Sequence, residues 1–286
     1  MPPILAEELR LELTAREKLE DTCGPYRTDK ELVGGRDEED ALNHFVHRFT
    51  ASSARVQYVT LGPGKHFEPT STDLRSFLTD GRISVLDLAC GSGGGFLGLL
   101  CTVAELRRQN AHARLPVDLQ VLAADISPTA LEIHERMLRR VSGPLDAVGI
   151  RITPKHMEWD VTDGYSTARL MEAWFKQAGE SEAFLVFISA FGAFTEKNRP
   201  VVETAIRDIM VRFHDDKQLI VAWIEPSLKG TSRWMGPILE LLIGFFKGRG
   251  RANSHDAEVK FDWRHPFTKE SITGSAKLIG CNRGSR

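Results

Sequence analysis

From about Ser84 onward, short apolar runs alternate with longer segments whose apolar positions recur every three or four residues. The short runs read as strands at 84–88, 119–124, 150–155, 184–189 and 219–224. Several are apolar without interruption, as strands covered on both faces are. Between them, 96–108, 128–141 and 199–213 read as helices. The second has Ser127 as N-cap and Pro128 at its first position, a start that needs no backbone donor from proline. Its Ala130, Ile133, Met137 and Val141 share one face, as do Val202, Ile206, Ile209 and Phe213 of the third. A further helix at 234–246 precedes two strand-like runs, 258–263 and 275–281, close enough to pair as a hairpin. This alternation predicts an α/β fold, a doubly wound, mostly parallel seven-stranded sheet with a C-terminal β-hairpin.

The first eighty residues follow another pattern. Helices are expected at 5–19, at 38–51 and from about Thr72, around a loop at 23–37 rich in glycine and charge. The expected organisation is an N-terminal helical extension over 1–80 and a core over 81–286.

Composition narrows the picture modestly. The chain has 286 residues, 42% of them hydrophobic and 27% charged, enough for a full core. A net charge of −2 gives no general pull toward nucleic acid or anionic membrane. Cys23, Cys90, Cys101 and Cys281 form no C-x-x-C pair, which argues against a disulfide framework and for no metal site. No signal peptide is visible, and the apolar runs 96–103 and 237–246 are too short to span a bilayer. A cytoplasmic protein without a membrane partner is expected, with its oligomeric state left open.

Chemistry concentrates where the first strand meets a glycine-rich turn, Asp87-Leu-Ala-Cys-Gly-Ser-Gly-Gly-Gly95, and where the second strand ends in Asp125. Strand, glycine turn, helix and strand ending in an acid is the layout that holds a nucleoside cofactor. Two registers compete. Gly93, Gly95 and Gly98 match the dinucleotide fingerprint, but the first lies several residues past the strand and Asp125 comes late for a ribose acid. In the other register, Asp87-Leu-Ala89-Cys90-Gly91-Ser-Gly93 resembles motif I of the class I S-adenosylmethionine-dependent methyltransferases, with Ala89 replacing the first glycine. Asp125-Ile126-Ser-Pro128 is similar to that family's ribose-binding motif, and Asp160-Val161 to its adenine-reading position. The three occur in the family's order. The resemblance covers roughly residues 80 to 286 and implies cofactor contacts from Asp87, Ala89, Cys90, Gly91, Gly93, Asp125, Ile126, Asp160, Val161 and Ser189. It also implies a Rossmann-like sheet with ligands at the strands' C-terminal edge, and an N-terminal extension that acts as a lid or acceptor pocket.

What the resemblance implies is a methyltransferase using S-adenosylmethionine and releasing S-adenosylhomocysteine, with a small-molecule acceptor attacked through oxygen or nitrogen. An RNA methyltransferase of the ribosomal type and a catalytically inactive cofactor-binding protein are the alternatives, with a dehydrogenase behind them. Methyl transfer rests largely on positioning and needs a base only when the acceptor must lose a proton. Candidates for that side are Glu225, Tyr58 and His44, with His47, Phe191 and Phe194 near them. Ser189-Ala-Phe-Gly-Ala-Phe194 lacks the Asn/Asp-Pro-Pro-aromatic signature of enzymes that methylate exocyclic amines, and no Pro-Cys pair marks cytosine C5 chemistry. Gly62-Pro-Gly-Lys65 lacks the rest of a phosphate loop, and Lys247-Gly-Arg-Gly-Arg251 has no interleaved aromatics for stacking bases.

Overall fold

A computed structural model describes residues 1–23, 35, 37–181, 183–191, 199–213, 218–226, 237, 240–242, 244–245 and 252–283. The chain opens with helices α1 (Pro3–Ala15), α2 (Leu19–Thr22), α3 (Glu38–Leu61) and α4 (Thr70–Phe77). Then come β1 (Gly81–Leu88), α5 (Gly94–Arg108), β2 (Val117–Asp125), α6 (Pro128–Asp146), β3 (Ile150–Glu158), α7 (Gly164–Ala178) and β4 (Ala183–Ser189). Helix α8 (Arg199–Val211) leads to β5 (Gln218–Glu225), and the hairpin strands are β6 (Ala252–Arg264) and β7 (Ser271–Arg283).

The seven strands form one sheet in the order β3-β2-β1-β4-β5-β7-β6. The first five are parallel, and β7 pairs antiparallel with both β5 and β6. Glu225, the last residue of β5, pairs with Lys277, whereas β6 and β7 stay paired as far as Arg264 and Ser271. The hairpin thus projects past the C-terminal edge of the parallel strands. Two apolar clusters cover the sheet's faces. One joins Ile83, Val85, Leu119 and Val121 to α5 and α6, and the other joins Leu86, Leu88, Leu122 and Val186 to α7 and α8. Leu5 and Leu9 of α1, Phe45 and Val56 of α3 and Leu74 of α4 belong to the first cluster, so the N-terminal helices form an outer layer on that face.

Local chemistry sets the helix ends. Asp37 accepts the Asp40 backbone N–H to begin α3, which runs past the expected residue 51 until Gly62 turns left-handed at φ 61°. Buried Val56 and Val59 continue its apolar stripe. The single helix expected at 5–19 is instead two, broken where Glu17 takes φ 57°. Helix α7 has no counterpart in the sequence expectations. Asp163 caps it, and Leu170, Met171, Trp174 and Ala178 form its buried face. Phe194 and the run Lys247–Arg251 lie outside the described residues. Of the expected helix 234–246, residues 237, 240–242 and 244–245 are described and are helical.

Candidate functional site

Strands β1 and β2 run in register, Leu88 opposite Ala124, so the glycine turn and Asp125 meet at the C-terminal edge of the sheet. Open parallel sheets bind their ligands at this edge. The turn closes through backbone bonds from Cys90 N–H to Ala124 O (3.0 Å) and from Gly93 N–H to Cys90 O (2.9 Å). Asp125 completes it. Its Oδ2 accepts the Gly91 N–H at 2.8 Å and its Oδ1 the Ser127 N–H at 2.9 Å. Burial pushes this carboxyl up, and those two backbone bonds work against the shift. A carboxylate has about four lone-pair sites, so two remain for a ribose diol. Ala89 adopts φ 50°, where glycine would be unstrained, and Gly91 and Gly93 lie at φ 52° and 88°.

Steric surroundings separate the two glycine registers. A Cβ at Gly93 would strike the His134 ring, one at Gly95 would meet Ser189, and one at Gly98 would lie 3.0 Å from Ser53 of α3. Gly91, by contrast, has nothing within 4 Å of its missing side chain among the described residues. Gly95, the glycine that must admit a pyrophosphate in the dinucleotide register, is therefore packed against protein. Gly91 belongs to the other register alone, and Gly93, common to both, is packed against His134.

Asp87, at the end of β1, is 2% exposed, and burial pushes its carboxyl well above the usual range. Its Oδ2 faces His134 Nε2 of α6 at 3.6 Å, and neither atom has a hydrogen-bond partner among the described residues. The other ring nitrogen of His134, Nδ1, lies 2.8 Å from Nε2 of His156 on β3. Burial lowers both imidazoles to about 4, so both are neutral near pH 7. Cys90 Sγ joins Asp87 and His134 in a set of donor atoms within 4.8 Å of one another, one short of the four donors of a closed zinc site. Burial also pushes the Cys90 thiol well up, leaving it protonated.

The turn expected to read adenine follows β3. Trp159 N–H donates to Asp125 O at 2.9 Å, bringing the Asp160 turn beside the Asp125 turn. Asp160 Oδ1 accepts the Thr162 N–H and hydroxyl, so the cap of α7 falls to Asp163. Val161 packs partly against the same apolar cluster as Ala89 and Met157. Ile126 is 52% exposed, unusual for a large aliphatic side chain beside a buried acid. Gly35, in the segment before α3, lies against it, since a Cβ there would be 2.9 Å from Ile126 Cγ2.

The acceptor candidates are dispersed. Glu225 Oε1 accepts the Phe191 N–H and the Trp223 indole N–H, each at 2.7 Å, which ties the end of β5 to the end of β4. Burial raises its carboxyl to about 7. Phe191 lies between Trp159 and Trp223, with ring centroids 6.3 and 6.2 Å away. Ser189 Oγ is buried without a partner among the described residues. Tyr58 stacks on Phe261 of the hairpin at 4.4 Å and meets Phe67 edge-on. His44 is partly buried and held near 4 chiefly by burial. His47 lines a small cavity with Thr50, His265 and Glu270. The structure thus gathers Asp87, Cys90, Gly91 and Asp125 around one turn and ties Glu225 to Phe191, while Tyr58 is engaged with the hairpin. His134 and His156 were not anticipated from sequence. The available signal was a histidine inside the apolar stripe of α6.

These residues fit an amino-acid-bearing nucleoside. A buried carboxyl oxygen without a partner among the described residues is satisfied by its own proton or by a cation such as an ammonium. Gly91 leaves room for a chain, Asp125 retains acceptors for a diol, and Ile126 offers an apolar surface for a base.

No protein-family model matches the sequence, and no curated protein matches it either. Several solved structures are distantly similar. A precorrin-6y C5,15-methyltransferase from Geobacter metallireducens is 11% identical, over 75% of this chain and 86% of that one, with a TM-score of 0.40. An O-methyltransferase family protein from Burkholderia thailandensis is 13% identical, over 99% and 72%, at 0.36. An rRNA methylase from Streptococcus thermophilus is 15% identical, over 76% and 97%, at 0.35. Likenesses this remote carry no functional argument, which rests on the geometry of the turn itself.

Proposed function

We propose that the chain is an S-adenosylmethionine-dependent methyltransferase that acts on oxygen or nitrogen of a small-molecule acceptor. The observation that carries this reading is that, among the described residues, one turn holds both a Gly91 with open space at its missing side chain and, at its start, an Asp87 whose Oδ2 has no hydrogen-bond partner. The cofactor supplies a methyl group on a sulfonium, already a good leaving group. Asp87 receives the ammonium end, and the backbone from Ala89 to Gly93 leaves room for the chain that bears it. Asp125 grips the ribose while holding the turn closed. Ile126 and Val161 flank the base, with the Asp160 turn at its edge. Positioning of this kind supplies up to roughly 7–11 kcal/mol of barrier reduction.

On the acceptor side Glu225 is the candidate base, because burial brings its carboxyl near the operating pH. It also fixes the backbone at Phe191 by accepting that N–H, while the Trp223 indole N–H holds the same oxygen. His44 and Tyr58 belong to α3, in the helical layer proposed to shape the acceptor pocket. Incubation with methyl-labelled cofactor and either a metabolite extract or total RNA tests the acceptor class. Label in small molecules supports the reading, and label in RNA alone replaces it with an RNA methyltransferase. Binding without transfer to either pool supports a catalytically inactive cofactor-binding protein.

A further inference from the structure

Asp87 Oδ2 and His134 Nε2 face each other at 3.6 Å, both buried and otherwise without partners among the described residues. His134 Nδ1 is committed to His156 Nε2 at 2.8 Å. A row of polar groups therefore runs from a fully buried carboxylate, through a fully buried imidazole, to a partly exposed histidine on the edge strand β3. His134 also lies directly against the glycine turn, since any Cβ at Gly93 would meet its ring.

We propose that His134 and His156 form a proton relay that sets the charge of Asp87 and so positions the cofactor's ammonium end. The inference rests on the reading of this site as one for S-adenosylmethionine. Two protonation arrangements of the row differ by one proton. In the first, His156 Nε2–H donates to His134 Nδ1, and His134 Nε2–H faces the Asp87 carboxylate across 3.6 Å. A proton taken up at His156 Nδ1 moves the Nε2 proton of His156 to His134 Nδ1. The Nε2 proton of His134 then passes to Asp87. Both imidazoles remain neutral, and Asp87 becomes an acid whose proton faces His134 Nε2. Only the first arrangement presents a negative charge to an ammonium group. Other groups bias the equilibrium. Asp125 and the Cys90 thiol face Asp87, Asp125 and Glu135 face His134, and Glu135 and Arg139 face His156. Asp125 and Glu135 favour proton uptake, and Arg139 opposes it. His134 and His156 are positioning residues here, since they act through Asp87.

The test is titration of the full chain, and of its His134→Gln and His156→Gln variants, with two ligands across mildly acidic to neutral pH. One ligand is S-adenosylhomocysteine, which has the ammonium, and the other is 5′-methylthioadenosine, which lacks the amino-acid end. For the native chain, affinity for S-adenosylhomocysteine should fall on acidification, approaching about tenfold per pH unit as one proton is taken up. Methylthioadenosine affinity should stay flat. Each variant should flatten or displace the S-adenosylhomocysteine profile and leave methylthioadenosine binding unchanged. A flat profile in the native chain, or an unaltered profile in His156→Gln, overturns the relay while the cofactor reading stands. Failure of both ligands to bind overturns the cofactor reading and the relay with it.

Discussion

Asp125 does two jobs with one carboxylate. It accepts the backbone N–H groups of Gly91 and Ser127, and it keeps acceptor capacity for a ribose. Asp125→Ala is therefore expected to weaken S-adenosylhomocysteine binding by about 1.5–3 kcal/mol, the worth of hydrogen bonds to a charged group. Calorimetric affinities of variant and native chain check this, and equal affinities would remove Asp125 from the site. Gly91 and Gly98 make a second contrast. Gly91→Val adds bulk to open space and should abolish binding, at about 1–2 kcal/mol of stability for a left-handed valine. Gly98→Val drives the same bulk into α3 at Ser53 and should lower the unfolding temperature more than Gly91→Val does. The meeting of Asp125 with the glycine turn at one sheet edge was legible in the sequence, because the strand–turn–helix–strand pattern puts both at strand ends. His134 was not, because a histidine on an apolar helix face looks the same whether it fills space or carries protons. Its meaning comes from His156 and Asp87, brought to it only by the fold.

Between elements, the clearest polar fastening joins α1 to α6. Glu12 is fully buried, yet its Oε1 accepts from Arg16 at 2.7 Å and lies 2.9 Å from Arg136, while Oε2 accepts from Arg140 at 2.9 Å. Burial works to raise this carboxyl, and the surrounding guanidiniums outweigh it, so the net shift is downward. Glu12→Ala leaves those arginines facing one another without their acceptor. It should cost about 3 kcal/mol, read as an earlier midpoint in urea, whereas Glu12→Gln should lose less. None of this was visible beforehand, because Glu12 and its partners Arg136 and Arg140 lie 124 and 128 residues apart along the chain. Helix α7 was missed for a different reason. Trp174 is the largest residue of its stripe with Phe175 beside it, and aromatic residues suit strands as well as helices.

Across the whole molecule, the alternating pattern was enough to read five parallel strands and a hairpin. Continuously apolar runs such as Phe184–Ile188 have few alternatives to a doubly covered strand. The packing of α3 over α5 was not readable, since it depends on Gly94 and Gly98 allowing close approach to Phe49 and Ser53. Titration of Glu225 gives a global prediction. Its folded carboxyl is raised to about 7 from 4.5, so its stabilising contribution is complete below pH 4.5 and is lost as pH rises through 7. Glu225→Gln should therefore gain stability relative to the native chain over that window, by up to about 3 kcal/mol. His134 runs the other way. Its depressed value of about 4, against 6.5 when unfolded, means stability is lost as pH falls through that interval. Urea denaturation of both chains at a series of pH values separates the two, because only the Glu225 contribution cancels in the variant.

The most direct test of the central claim is calorimetric titration of the purified chain with S-adenosylmethionine, S-adenosylhomocysteine and NAD⁺. Saturable binding of the two adenosyl ligands, with none of NAD⁺, is the predicted result. Binding of NAD⁺ with neither adenosyl ligand would contradict the account and move the ligand to the register of Gly93, Gly95 and Gly98.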